Sequence, residues 1–129
     1  MNETEEKCLE TFPEWLRNLA SDATDMADAV GDDATPDAAR RYAAGALNYL
    51  FKSLDLIPDG IEDLGYLDDA FVLRVAAQRA VAEDASTEQD APRVARMAKD
   101  AELISALLGE DDFARFVTYV DQLKTGAAR

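Results

Sequence analysis

The sequence contains no histidine and a single cysteine, and these absences exclude several kinds of chemistry. Histidine is the usual general base near neutral pH and the commonest metal ligand. One thiol, Cys8, permits neither an intramolecular disulfide nor a zinc cluster of cysteines. We therefore expect neither a histidine-dependent catalytic site nor a disulfide-stabilised fold, and the lone cysteine suits a reducing compartment.

Basic residues and long hydrophobic runs are also scarce. Lysine and arginine number 13 against 27 aspartates and glutamates, so the formal net charge is −14. Because such a charge repels phosphates, we expect neither nucleic acid nor an anionic membrane surface as a partner. No apolar run approaches the about 18 residues of a membrane span, and the N-terminus lacks the basic and apolar regions of a signal peptide. The sequence therefore predicts a cytoplasmic protein whose unidentified partner is a protein, and it leaves a homo-oligomer open.

The apolar residues that are present recur at helical spacing along the chain. Hydrophobic residues make up 48% and charged residues 31% of the 129 residues, a balance typical of one globular domain. Start signals such as Thr11-Phe-Pro-Glu14 and stop signals such as Gly109 divide this pattern into helices. They are expected near residues 13–30, 36–54 and 67–84, from Pro92 to Gly109, and over residues 113–123.

This pattern predicts an all-α fold, a compact bundle of about five helices that forms a single domain over residues 1–129. Residues 1–11 are expected to be frayed or to form a short helix. The third helix should lie at the centre of the bundle, because its apolar residues occupy nearly all of its circumference. No alternating pattern typical of a strand competes with these helices.

An acidic segment, residues 55–69, connects the second and third predicted helices. Six of its fifteen residues are acidic and none is basic. It begins with Asp-Leu-Ile-Pro-Asp, and Pro58 must end the second helix, because proline disfavours helical geometry in the residue before it. Pro58 and Gly60 suit the second and fourth positions of a type I turn, and Gly65 is expected to follow a short helical turn capped by Asp63. We interpret Pro58, Gly60 and Gly65 as the structural motif of this acidic turn.

Four aspartates of the acidic turn are the candidate functional residues: Asp55, Asp59, Asp68 and Asp69. In one interpretation they are structural, since carboxylates at turns and at a helix N-terminus accept hydrogen bonds from backbone N–H groups. In a second they converge on Mg²⁺ or Ca²⁺, which are hard cations that prefer oxygen ligands. In a third they contact a basic partner. No catalytic residue and no other cofactor is predicted.

The remaining charged and aromatic residues are expected to have structural roles. Solvated helix faces are predicted for Arg40, Arg41, Arg93 and Arg96. The hydrophobic core is predicted to contain Tyr42, Tyr49 and Phe51. The basic residues nearest to the acidic turn are Lys52, Arg74 and Arg79, and at least one of them is expected to lie over it.

The run from Tyr49 to Asp69 resembles the signature of the YkvA-like family, the domain of unknown function 1232. The similarity rests on Asp-Leu-Ile-Pro-Asp at 55–59 and Gly-Tyr-Leu-Asp-Asp at 65–69, and it extends over roughly residues 46–82. The resemblance implies no established activity, and many members look membrane-associated. This sequence departs from them at Glu62-Asp63 and at the charged residues that interrupt the flanking helices.

Taken together, these features predict a soluble helical binding or scaffold module without catalytic activity. One alternative is a divalent-metal-binding protein that uses the acidic turn. The other is a peripheral membrane-associated YkvA-like protein, which the resemblance suggests and the net charge opposes.

Overall fold

The computed structural model describes the backbone of residues 1–56 and 67–125 and, within these ranges, the side chains of residues 1–52 and 67–125. This part of the chain contains helices and turns and no strand, which confirms the all-α prediction. The helices found in it are α1 (Glu3–Arg17), α2 (Leu19–Gly31), α3 (Asp37–Leu56), α4 (Leu67–Glu83), α5 (Thr87–Asp90), α6 (Pro92–Ala98), α7 (Ala101–Leu108) and α8 (Glu110–Thr125). The predicted count of five is too low, because two predicted helices are each divided and a polar connection contains the short α5.

The N-terminal helix begins earlier than the sequence pattern indicates. The side-chain oxygen of Asn2 accepts a hydrogen bond from the Glu5 N–H at 2.8 Å, and the Glu5 carboxylate accepts one from the Asn2 N–H at 3.0 Å. This reciprocal pair is a capping box, and it lies at Asn2 rather than at Thr11, where the sequence pattern predicted one. Pro13 consequently lies inside α1 rather than at its start. The chain leaves α1 at Asn18 and begins α2 directly afterwards, so the first predicted helix is in fact two helices.

The fourth predicted helix is interrupted between α6 and α7. The N–H of Asp100 donates to the carbonyl of Met97, and the N–H of Leu103 donates to the carbonyl of Asp100, both at 3.2 Å. This three-residue spacing is tighter than that of an α-helix and ends the regular pattern. At this interruption the Asp100 carboxylate accepts a hydrogen bond from Arg74 at 3.1 Å. The break therefore coincides with a polar contact to the central helix.

The other predicted helices are confirmed as α3, α4 and α8, and α4 is the centre of the fold. It contacts every other helix of the described structure. Ten of its residues are buried, namely all of 69–77 and Ala80. This confirms that the third predicted helix is the most buried, for the reason that its apolar residues cover nearly all sides.

An aromatic cluster attaches α1 and α8 to this central helix. The ring of Phe71 in α4 lies edge-on to Phe12 and Trp15 of α1, with centroid distances of 5.3 and 6.0 Å. Its centroid lies 6.3 Å from that of Phe116 in α8. Such pairs contribute about 0.5–1.5 kcal/mol beyond the burial of their area. The cluster also places the Trp15 ring beside the middle of α4.

The backbones of α3 and α8 come unusually close at Gly45. A Cβ atom at this position would lie 2.7 Å from the carbonyl oxygen of Leu123 and 2.8 Å from the carbonyl carbon. These atoms belong to the backbone of α8, so no side-chain rotation can make room for a methyl group. Glycine at position 45 is therefore required by the approach of the two helices.

We expect Gly45→Ala to lower the free energy of unfolding by about 1–3 kcal/mol, the usual cost of forcing extra volume into a packed site. Chemical denaturation measures this change. Gly31→Ala is the matched control, because a Cβ there would meet nothing within 4 Å, and we expect it to be neutral or slightly stabilising. Equal stability of the two variants would contradict the proposed close contact of α3 and α8.

Candidate functional site

A buried arginine stands in the middle of the central helix. The side chain of Arg74 is 2% exposed, yet each of the three guanidinium nitrogens donates a hydrogen bond. Its Nη2 donates to Asp22 at 2.9 Å, its Nε to Asp100 at 3.1 Å, and its Nη1 to the carbonyl of Ala70 at 3.3 Å. The ring of Trp15 lies beneath it, with 4.4 Å between the guanidinium carbon and the ring centroid. The charge is thus held by two carboxylates, a carbonyl and an aromatic face.

The carboxylate of Asp22 is buried as deeply as the arginine that it binds. Asp22 is 1% exposed, and each of its oxygens accepts a hydrogen bond from a different guanidinium. Arg74 contacts one oxygen from inside the core, and Arg96 contacts the other at 2.7 Å. A buried charge is tolerated only when it is paired and hydrogen-bonded. Asp22 therefore connects α2 to both α4 and α6.

From Asp22 the charged contacts continue outward to the protein surface. Arg96 also donates to Asp25 at 2.8 Å. Its hydrogen bonds to Asp22 and then to Asp25 raise the pKa of the Arg96 guanidinium, so it stays charged at every relevant pH. Farther out, the Nη1 of Arg93 lies 3.7 Å from a carboxylate oxygen of Asp25 and 3.7 Å from one of Asp28. A row of alternating charges thus runs from the core to the surface between α2 and α6.

At its outer end this row forms one wall of a groove of about 360 Å³. The groove lies between the C-terminal half of α2, the turn that follows it, and the junction of α5 with α6. Among the described residues, four carboxylates and one basic residue, Arg93, line it; the acidic residues are Asp25, Asp28, Asp32 and Asp90. We call this feature the acidic groove. Its excess of negative charge makes it suited to a cation.

Thr35 adds a neutral hydrogen-bonding group to the acidic groove. The residue lines the groove although it is only 5% exposed. Among the described residues its hydroxyl has no hydrogen-bond partner, and the atom is not sealed from solvent. Thr35 therefore adds a hydroxyl group to the residues that line the groove. A ligand there would meet an available hydroxyl as well as carboxylates.

The residues of the predicted acidic turn are only partly within the described structure. Asp59 and the side chain of Asp55 lie outside it, as do Pro58, Gly60 and Gly65. Asp68 and Asp69 occupy the first turn of α4, as expected, with Asp68 exposed and Asp69 buried. The convergence of the four aspartates on a cation therefore stays a prediction.

Asp68 and Asp69, the two aspartates of the acidic turn whose side chains are described, influence the pKa of Tyr49 in α3. Burial, followed by the charges of Asp68 and Asp69, raises the pKa of the Tyr49 hydroxyl to about 12. The C-terminal part of α3 thus lies beside the N-terminus of α4. Over the described ranges, no three acidic or cysteine side chains are arranged to hold a metal ion.

The expectation that at least one of Lys52, Arg74 and Arg79 lies over the acidic turn stays a prediction, because most of that turn lies outside the described residues. Within the described residues Arg74 binds Asp22 and Asp100, and Arg79 binds Asp121 at 3.2 Å. These carboxylates belong to α2, to the turn before α7 and to α8.

The predictions for the helix-face arginines and for the aromatic residues are partly wrong. Arg96 is not simply solvated, because it reaches the buried Asp22. Tyr42 is buried as predicted, and its hydroxyl donates to Asp121 at 2.6 Å. Tyr49 is half-buried, whereas Phe51 is exposed, since it lies on the outer side of α3.

Sequence reasoning missed the contact between Arg74 and Asp22, although a signal was present. Arg74 interrupts a helix that is otherwise apolar on nearly all sides, and Asp22 stands among the apolar residues of α2. A charge at the centre of a bundle requires an opposite charge. The partner could not be identified locally, because the two residues are 52 positions apart.

The fold and the site define an all-α helical bundle with a paired buried charge and an acidic groove at its surface. In a comparison with known families, one part of this bundle has a match: residues 39–74 match the family described as "Protein of unknown function (DUF1232)". The match confirms the resemblance and covers less than a third of the chain. It includes most of α3 and ends within α4 at Arg74. Comparisons with curated proteins and with solved structures gave no match.

None of the helices in the described ranges has both the length and the apolar character needed to cross a membrane.

A double-mutant cycle tests the buried charge pair. We expect Arg74→Met to lower the free energy of unfolding by about 3 kcal/mol, near the lower end of the cost of breaking a buried pair, because Arg96 still neutralises Asp22. Asp22→Asn should also destabilise the protein. Combined with Arg74→Met it should cost less than the sum of the two single changes, since the buried carboxylate of Asp22, which loses Arg74, is then no longer charged.

Urea denaturation at neutral pH measures all three variants. Arg41→Met is the surface control: Arg41 forms an exposed pair with Asp37, and its loss should cost less than about 1 kcal/mol. Additive effects of Arg74→Met and Asp22→Asn would show that the two side chains do not depend on each other.

Titration of Tyr49 tests the position of the carboxylates at the start of α4. We expect Asp68→Asn to lower the Tyr49 pKa, because one of two nearby negative charges is removed. Since this pKa is raised on folding, the stability that Tyr49 contributes is complete below the unfolded value of about 10. That contribution is lost as the pH rises toward about 12.

The measurement is the tyrosinate absorbance of each protein after subtraction of the corresponding Tyr49→Phe variant. Asp112→Asn, on α8, is the control that removes one charge elsewhere. If the predicted metal site exists, millimolar Ca²⁺ should also lower the pKa of Tyr49, and this response should weaken in Asp68→Asn. A Tyr49 pKa that is indifferent to Asp68→Asn would refute the assigned interaction.

Proposed function

We propose that this chain is a non-catalytic binding module that holds a cationic side chain of a protein partner in the acidic groove. The observation that carries the proposal is the guanidinium of Arg93, which lies 3.7 Å from both Asp25 and Asp28 within the groove. The groove thus has the width and the charge to accommodate a guanidinium. The remaining carboxylates of Asp32 and Asp90 supply further acceptors.

The spacing of the carboxylates favours an extended organic cation over a metal ion. Asp25 and Asp28 are one turn apart on α2, and Asp32 follows at its C-terminal cap. Asp90 faces them from the end of α5. A divalent ion needs several oxygens within about 2.6 Å, whereas arginine and lysine side chains can reach carboxylates that are spread along a groove. A basic peptide matches this arrangement.

The proposed groove has a rigid support. Asp25, which lines it, is held by Arg96, and Arg96 is held in turn by the buried Asp22. Sites are most precise where a second layer of contacts fixes the side chains that bind the ligand. The buried charge network therefore supports the proposal by fixing the distance between α2 and α6.

We also propose that the module works in the cytoplasm, which is supported by the state of Cys8. The thiol is free and buried. Burial, followed by the charge of Glu5, raises the pKa of Cys8. A thiol of this kind is unreactive and suits a reducing environment.

Binding of a labelled basic peptide tests the proposed function. We expect a short fluorescent peptide in which arginine alternates with serine to bind the full chain, and physiological salt to weaken the binding. Asp28→Asn combined with Asp90→Asn should reduce the affinity by about two- to thirtyfold, because two exposed charge pairs are worth about 0.2–1 kcal/mol each. Fluorescence anisotropy measures both effects.

Glu110→Gln combined with Asp111→Asn is the matched control. It removes the same total charge from exposed positions of α8 that do not line the groove, so it should change the affinity much less. Equal losses in the two double variants would show that the peptide responds to net charge alone and would count against a specific groove.

A further inference from the structure

Within the proposed function, and resting on it, we infer that Arg93 is a built-in competitor that occupies the acidic groove until an arginine side chain of the partner displaces it. Within the part of the chain that the structure describes, Arg93 is the one basic residue in the groove lining. Its guanidinium and that of an incoming arginine would require the same two carboxylates. Regulation of the groove is thus contained in α6 itself.

The contacts of Arg93 are weak in comparison with those of its neighbour. Arg93 lies 3.7 Å from Asp25, beyond hydrogen-bonding distance, whereas Arg96 lies 2.8 Å from the other oxygen of the same carboxylate. The Arg93 side chain is 70% exposed, against 50% for Arg96. Exposed ion pairs of this length contribute little to stability. Arg96 is therefore a fixed part of the structure, while Arg93 can leave at small cost.

The position of Arg93 in its helix also makes it easy to displace. It is the second residue of α6, directly after Pro92. The free N–H groups of a first helical turn oppose a cation, and this opposition is smallest when the side chain extends into solvent. When Arg93 leaves, Asp25 keeps its contact to Arg96 and Asp28 becomes available. The fold is preserved because no buried contact of Arg93 has to break.

The groups around Arg93 favour a guanidinium as the replacing ligand. Its planar fork can contact two carboxylates at once, which an ammonium group does less well. The incoming group could therefore bridge Asp25 and Asp28 at hydrogen-bonding distance. Its further N–H groups could donate to the hydroxyl of Thr35 and to the carboxylate of Asp90, which both line the groove. Arg93 reaches neither group at bonding distance, so a partner's arginine can make contacts that Arg93 lacks.

The test compares Arg93→Gln with Arg115→Gln in the full-length chain. Both changes remove one positive charge from an exposed arginine, but Arg115 pairs with Asp112 on α8 and does not line the groove. The probes are the alternating arginine–serine peptide and the same peptide with lysine in place of arginine. Thermal melts first establish that both variants fold as the parent does.

We expect Arg93→Gln to bind the arginine peptide about three- to tenfold more tightly than the parent, and Arg115→Gln to bind it nearly as the parent does. The gain for the lysine peptide should be smaller. Binding to Arg93→Gln when the parent binds too weakly to measure would also support the inference.

The opposite results have distinct meanings. If both glutamine variants gain equally, the effect is one of net charge and Arg93 is not a competitor, although the groove still binds. An equal gain for the two peptides would overturn the assignment of arginine as the ligand. If neither peptide binds to the parent or to Arg93→Gln, the proposed function itself fails, and this inference fails with it.

Discussion

The guanidinium of Arg74 lies in the middle of the core, and the surrounding helices are arranged so that its charge is neutralised. Removing such a group from water costs several kcal/mol, and only close opposite charges and hydrogen bonds offset that cost. Asp22, Asp100, the carbonyl of Ala70 and the ring of Trp15 supply them. They come from α2, from the interruption between α6 and α7, from α4 and from α1. One buried charge therefore links α1, α2 and α4 with the junction of α6 and α7.

The same contact determines what the surface can do. Because Asp22 binds Arg74 with one oxygen and Arg96 with the other, α6 is held against α2 at a fixed distance. The acidic groove opens just outside this contact, and Asp25 belongs to both. Core and surface are thus parts of one row of charges, whose inner members are buried and immobile and whose outer member, Arg93, is exposed. The buried residues Arg74 and Asp22 have the structural role, and the exposed Arg93 has the proposed role in binding.

The candidate site illustrates which features could be predicted from sequence. The acidic turn was visible because its carboxylates lie within fifteen consecutive residues, and Asp68 and Asp69 do lie in the first turn of α4. The acidic groove was not visible, because its carboxylates come from α2, the following turn and the end of α5. Arg93 and Arg96 look alike in the sequence and lie one helical turn apart. Arg96 contacts the buried carboxylate of Asp22, whereas Arg93 contacts no buried carboxylate among the described residues. Only the packing of α6 on α2 distinguishes them.

The sequence by itself determined the helical class, the bounds of α3, α4 and α8 to within a few residues, and the central position of α4. These follow from local periodicity and from proline and glycine signals, which act over a few residues. The tertiary structure alone decided the divisions at Asn18 and near Asp100, the partners of Arg74, and the formation of the acidic groove. Asp22 contacts Arg74 and Arg96 across 52 and 74 positions of the chain, and Arg74 contacts Asp100 across 26 positions. The cost of burying a charge acts only once the core that excludes water has formed.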